Sequence, residues 1–229
     1  MLCIVQARMS SKRLPGKVLM KIHGKTLIER VIERVSKSKY VTKMIIATSK
    51  HNTDLPLRKL CFKKKIEYHS GSLNNVAHRI CEILKKLNAK SFLRICADSP
   101  FIDPGLIDKC IIKFNNRNCD IVTNVLPRTF PKGQSVEIVK SSIFMKNLPK
   151  MKKKSQLEHV LNFFYENKND FKINNIKNNK NYSKFNMSVD TTSDIRRARI
   201  IYKKMSHLRN RKISWEKIIK QYYEKKINK

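Results

Sequence analysis

The sequence predicts an α/β fold: three layers, with a mostly parallel sheet between helices. Three observations carry that expectation. Short apolar runs alternate with amphipathic stretches from Leu2 to Val125. The apolar residues of the amphipathic stretches recur at helical spacing. The length, 229 residues, suits one large domain with a substantial core, or a domain with an appended piece.

The elements follow in order. Leu2–Gln6 is a short apolar run fit for a buried strand. Thr26–Ser36 carries Leu27, Ile28, Val31, Ile32 and Val35 on one helical face, with Gly24-Lys25 turning into it. Lys43–Thr48 holds "MIIAT", a second strand, and a helix is expected over Leu55–Lys64. Ile66–His69 reads as a third strand and Asn75–Leu87 as a helix. Ser91–Ala97 is a fourth strand; Asp103-Pro104 caps and starts the next helix, and Ile121–Val125 is a fifth strand. Beyond Val125 the rhythm changes. A loop, "LPRTFPKGQ", precedes the short strand "SVEIV", a helix over Ser155–Asn167 and an extended run over Asp170–Ile176. "NNIKNNKNYSK" is low in apolar residues and reads as a mobile loop. "FNMSVDT" looks like a returning strand, and helices from Ser193 to Lys204 and over Ile213–Tyr223 close the chain.

Lys plus Arg number 51 against 17 Asp plus Glu, a formal charge of +34. That balance invites a nucleic-acid partner. The lysines, however, run from Lys12 to Lys229 without one basic helix or an RNA-recognition motif, so a general surface bias explains them better. The six cysteines, 3, 61, 81, 96, 110 and 119, form no C-x-x-C pair, which argues against zinc and for reduced thiols. No run approaches eighteen apolar residues and no signal-peptide pattern opens the chain, so no membrane contact and a cytoplasmic location are expected.

In open α/β sheets ligands collect at the carboxyl ends of strands. Three such ends are chemically loaded. "QARMSSKRLPGKVL" leaves the first strand with Arg8, Lys12, Arg13, Lys17 and two serines. Asp98 follows the fourth strand, and Asp190 follows "MSV". Two carboxylates on two strand exits can share Mg²⁺, which takes hard oxygen ligands and substrate phosphates. Equally, each aspartate can cap the following helix. A P-loop is excluded: the Walker pattern ending at Gly24-Lys25-Thr26 needs glycine at position 19, which is Leu19. No G-x-G-x-x-G occurs.

"IVQARMSSKRLPGKVL" resembles the opening motif of the cytidylyltransferases that make CMP-activated acidic sugars. It is most similar to the branch of spore coat polysaccharide biosynthesis protein F, with acylneuraminate cytidylyltransferase and CMP-Kdo synthetase as more distant relatives. "GSLNNVAHR", "RICADSPFIDP", "RTFPKGQSVEI", "LEHV" and "MSVDTTSDI" are similar to later segments of that branch, in order, from Ile4 to Ile195. The resemblance implies a Rossmann-like nucleotidyltransferase fold over 1–229, with a small dimerisation arm and acceptor-side segment in 126–185, and a homodimer. It implies CTP held by Arg8, Ser11, Arg13, Gly16, Lys17 and Arg79, and Mg²⁺ held by Asp98 and Asp190. Lys17, Arg13 and Asp98 become the catalytic candidates. Arg94, Glu137, Glu158 and His159 fall on the side of an acidic sugar or related acid, although Arg94, Arg79 and His159 serve equally well as bracing residues. Lys12 reads as one more surface lysine. The implied reaction is transfer of CMP from CTP with release of pyrophosphate, in cell-surface polysaccharide synthesis. Another NTP, a non-sugar acceptor, or a member that binds nucleotide without turnover stay open. The chain departs from the pattern at Asn74, Asn75, Ser135, Leu157, Leu161 and Asn186.

Overall fold

The structure is a computed structural model and describes residues 1–205 and 213–223. Its elements are β1 Leu2–Gln6, the hairpin β2 Lys21–Ile22 and β3 Lys25–Thr26, α1 Leu27–Val35, β4 Lys43–Ser49, α2 Leu55–Lys63, β5 Tyr68–Gly71 and α3 Val76–Lys86. They continue with β6 Ser91–Cys96, α4 Pro104–Asn115, β7 Ile121–Thr123, β8 Glu137–Lys140, α5 Ser141–Asn147, α6 Lys154–Glu158 and α7 Asn162–Glu166. β9 Ile173–Asn175, α8 Thr192–Met205 and α9 Trp215–Tyr222 complete it.

The seven-stranded sheet has the order β5-β4-β1-β6-β8-β7-β9. β5, β4, β1 and β6 run parallel; β8 is antiparallel to both its neighbours, and β7 and β9 are parallel again. Alternation along β1 explains the three layers. Cys3 and Val5 join the apolar cluster beneath α1, α2, α4, α8 and α9, while Leu2 and Ile4 join the one beneath α3, α5 and α7. A strand covered on both faces reads as an unbroken apolar run, as "LCIV" does. α1 begins at Thr26, whose hydroxyl accepts from the Glu29 N–H while the Glu29 carboxylate accepts from the Thr26 N–H.

Several boundaries differ from the expectation. The third strand lies over Tyr68–Gly71 rather than Ile66–His69, because it registers against Ile46–Ser49 of β4. The helix expected over Ser155–Asn167 breaks at His159, which leaves helical φ/ψ, and becomes α6 and α7. α5 was not foreseen. "FNMSVDT" is not a strand: it makes one isolated bridge, Asn186 to Lys132, and otherwise runs irregularly. "NNIKNNKNYSK" opens with the last two residues of β9 and is irregular beyond them, yet it is tied down: Ile176 is buried, and the N–H groups of Ile176, Asn178 and Tyr182 bond to Thr123 and Thr129. Residues 126–185 supply β8 to the interior of the sheet, β9 to its edge, and Phe144, Val160 and Phe164 to the core. The six cysteines are free thiols; five are buried, and burial pushes Cys61 and Cys96 up to about 11.

From β1 the chain crosses to β4 and β5 on one side, then returns to β6 on the other. The switch point of the parallel part therefore falls between β1 and β6, where such sheets bind ligands.

Candidate active site

At that switch point lies a cleft of about 290 Å³, lined by the β1 exit, the β6 exit, the end of α6 and Asp190. The loop leaving β1 is shaped by its own backbone. Gly16 sits at φ +71°, a left-handed position suited to glycine, and its N–H bonds to the Met9 carbonyl at 2.8 Å. Asp54, fully buried on the neighbouring turn, accepts from the Met9 N–H at 2.7 Å and from Thr48 and Ser49. The loop is thereby anchored to β4 at one point and folded on itself at another.

Lys17 points from this loop onto both aspartates. Its Nζ donates to Asp190 Oδ1 at 2.8 Å, to Asp98 Oδ2 at 3.3 Å and to the Val189 carbonyl at 2.8 Å. Arg13, largely exposed, reaches the same Asp190 oxygen at 2.8 Å. Neither aspartate caps a helix. Asp103 caps α4, accepting from the Gly105 N–H. α8 is opened by a reciprocal pair: Asp194 accepts from the Thr191 N–H at 2.9 Å, and the Thr191 hydroxyl accepts from the Asp194 N–H. Asp194 also holds the Asp190 N–H at 3.0 Å, so this cap fixes the backbone that presents Asp190.

On the opposite wall Arg8 pairs with Glu158. Burial pushes the Glu158 carboxyl up, but Arg8, together with His159 and Lys12, outweighs it, and the group titrates below its ordinary value. His159 lines the cleft beside it.

The floor is a chain of hydrogen bonds across the sheet. Arg94 donates from Nε and Nη2 to Gln6 Oε1, at 3.0 and 2.8 Å, and from Nη1 to Glu137. The Tyr165 hydroxyl donates to Glu137 at 2.7 Å and contacts Thr123 at 2.9 Å. Burial opposes the Arg94 charge, yet Cys96 and Glu137 hold it on, and it titrates above its ordinary value. Arginine only donates, so the Gln6 amide must turn its oxygen to Arg94 and its NH₂ away.

The cleft thus gathers Arg8, Ser11, Arg13, Lys17, Arg94, Asp98, Glu158, His159 and Asp190. Gly16 shapes the loop without lining it, and Glu137 lies beneath. Arg79 stands outside the lining. It is fully buried in α3 and bonded to the Ser72 carbonyl at 3.1 Å, and its Nε and Nη2 have no hydrogen-bond partner among the described residues. Burial pushes it down to about 10. Lys12 is exposed, as expected, but it does line the cleft. Gln6 and Cys96 were missed, and so was Asp54. Gln6 and Cys96 end β1 and β6, and their place beside Arg8 and Asp98 was the available signal.

Residues 2–226 match the family model for cytidylyltransferases. This chain belongs to the cytidylyltransferase family. The cytidylyltransferase is 27% identical over 211 residues to spore coat polysaccharide biosynthesis protein SpsF of Bacillus subtilis, covering 89% of this chain and 86% of that protein. A solved cytidylyltransferase from Leptospira borgpetersenii superposes with a TM-score of 0.91 at 25% identity, over 98% of this chain and 94% of that one. A CMP-2-keto-3-deoxy-manno-octonic acid synthetase solved with CTP shares the fold, with a TM-score of 0.69 at 15% identity over 89% of this chain and 98% of that one. The family takes part in CMP-sugar or polysaccharide synthesis, and this cytidylyltransferase is a nucleotidyltransferase enzyme. Among the described residues no helix is long and apolar enough to cross a membrane.

Proposed function

We propose that this enzyme transfers CMP from CTP to an acidic sugar, with Mg²⁺ as its metal and pyrophosphate as its leaving group. One observation carries the reading: two carboxylate oxygens, from Asp98 and Asp190, converge on a single cation, the Lys17 ammonium. Two carboxylate oxygens brought to one point are the hard donors Mg²⁺ takes, together with substrate phosphates and water. When bound there, Mg²⁺ would neutralise triphosphate charge and favour the ionised acceptor hydroxyl.

The chain's own residues do the rest. The cationic β1 loop holds the triphosphate, and Arg13 and Lys17 meet charge building on the departing pyrophosphate. The acceptor oxygen bonds to the α-phosphorus as the bond to the β-phosphate oxygen breaks, so positioning matters more than covalent help. Glu158, His159 and the NH₂ of Gln6 line the side left for the acceptor. A homodimer using 126–185 and a cytoplasmic location complete the proposal.

The test is pyrophosphate release on incubation with CTP, Mg²⁺ and a panel of acidic sugars, with UTP, GTP and ATP in parallel. Release with one acid and CTP is the expected result. CTP binding with no release from any acid, or preference for another nucleotide, would sink it.

A further inference from the structure

Lys17 stands where a metal ion would be wanted. All three of its ammonium hydrogens have oxygen partners, two of them the candidate metal ligands, and its side chain is 10% exposed. Arg13 adds a second cation to Asp190. Both carboxylates are therefore already paired with the protein's own cations.

The surroundings reinforce this. The cleft is lined by five cations, Arg8, Lys12, Arg13, Lys17 and Arg94, against the carboxylates of Asp98, Glu158 and Asp190. The whole chain carries +34. Such a field repels a bare divalent cation and draws in a polyanion. Among the described residues there is no group of three or more His, Cys, Asp or Glu able to hold a metal. Mg²⁺ is held poorly by one or two carboxylates alone and gains its remaining ligands from substrate phosphates and water. Lys17 competes from a fixed tether, the turn at Gly16, at a high effective concentration.

We infer that Lys17 is the resident counter-ion of Asp98 and Asp190, and that divalent metal enters this site only together with the nucleoside triphosphate. The phosphate oxygens receive the Lys17 ammonium as the two carboxylates turn to the metal. One side chain is thus the stand-in for the metal before substrate arrives and a phosphate ligand afterwards. The second half of this inference rests on the proposed use of CTP; the first half does not.

The experiment titrates the full chain with Mn²⁺, followed by electron paramagnetic resonance of the free ion. Wild type without nucleotide shows no saturable site below roughly millimolar Mn²⁺. Lys17→Met, which removes the competing charge at nearly constant volume, binds Mn²⁺ at least about tenfold more tightly. K17M combined with Asp190→Asn loses that gain, which assigns the ion to this pair. CTP added to wild type brings Mn²⁺ in. Mn²⁺ alone raises the melting temperature of K17M and leaves wild type unmoved. If K17M fails to fold, Lys17→Gln, which removes the charge but keeps an N–H donor, replaces it. Equal Mn²⁺ affinity of wild type and the Lys17 variants would overturn the inference. Failure of CTP to bind, with the K17M gain intact, sinks the nucleotide reading and leaves the counter-ion role standing.

Discussion

Arg94 and Glu137 face each other in register across β6 and β8, and all three guanidinium nitrogens of Arg94 are bound by Glu137 and Gln6. A buried ion pair contributes little net stability, but removing one partner strands the other. Both residues are buried. Glu137→Ala should therefore cost about 3–5 kcal/mol, read as a lower urea midpoint. A loss below about 1 kcal/mol would show that the pair is solvated and that Gln6 is not oriented by it.

Asp54 predicts a separable effect on the loop. It receives four hydrogen bonds, from Met9 N–H, Thr48 hydroxyl, Ser49 N–H and Ser49 hydroxyl. In Asp54→Asn one oxygen becomes an NH₂ that faces donors. The expected cost is roughly 2–3 kcal/mol in thermal unfolding, with a weaker affinity for CTP from the loosened loop. Unchanged CTP affinity, measured by calorimetry, would separate the anchor from nucleotide binding.

Asp98→Asn should behave in the opposite way. The Asp98 side chain is 28% exposed, and among the described residues its only ionic partner is Lys17 at 3.3 Å. Its backbone carbonyl still accepts from Val189 in the variant. Stability should move by less than about 1 kcal/mol. Turnover, followed by pyrophosphate release, should fall on the order of a thousandfold. Substantial residual activity would remove Asp98 from the metal pair.

These contrasts show what was legible in the sequence and what was not. The alternation from β1 to β7 was legible because strands covered on both faces must be apolar and their helices amphipathic. Asp98 and the β1 loop were legible as strand exits; Asp190 was reached by the same reading, although the strand expected before it does not form. The stretch 185–191 looked like a strand from its apolar content, but Met187 and Val189 are buried by packing over Gly133 and the β6 exit. The break at His159 carries no glycine or proline to announce it. Arg79 and Arg94 read equally as anion ligands or as bracing residues; Arg94 lines the cleft and Arg79 does not, and a lone arginine in a pattern does not reveal that Ser72 or Glu137 lies beside it. Asn75, one of the departures from the resembled pattern, caps α3 by accepting from the His78 N–H at 2.8 Å.

Acid stability should track the α8 cap. Burial pushes the Asp194 carboxyl up, but bonds from the Asp190 N–H, Arg197 and Thr191 outweigh it, and the group titrates below its ordinary value. A folded-state value below the unfolded one contributes stability that is complete above the unfolded pKa, about 3.9. That contribution disappears as pH falls through the lower folded value. Asp194→Asn should lower stability at pH 7 and flatten its decline between about pH 4 and pH 2, read by urea unfolding at each pH. Parallel acid limbs in wild type and variant would assign the acid sensitivity elsewhere, Glu158 being next in line.

Gly133 couples the fold to the site most directly. It adopts φ +87°, and a Cβ there would stand 2.7 Å from Met187 C and Ser188 N. Both contacts are backbone, so neither can swing aside. The neighbouring Lys132 bonds the same segment on both sides, donating to the Phe185 carbonyl and accepting from the Met187 N–H. Gly133→Ala must therefore push 187–188 away, and with it Asp190, two residues on. Left-handed strain alone costs roughly 1–2 kcal/mol, and the displacement adds to it. The expected outcome is a loss of at least about 2 kcal/mol in stability. Metal-dependent CTP binding should fall further than Asp54→Asn lowers it, because the shift moves a carboxylate of the cation pair rather than the loop. A variant that loses stability but binds Mn²⁺ and CTP like wild type would show that Asp190 is positioned by the α8 cap alone.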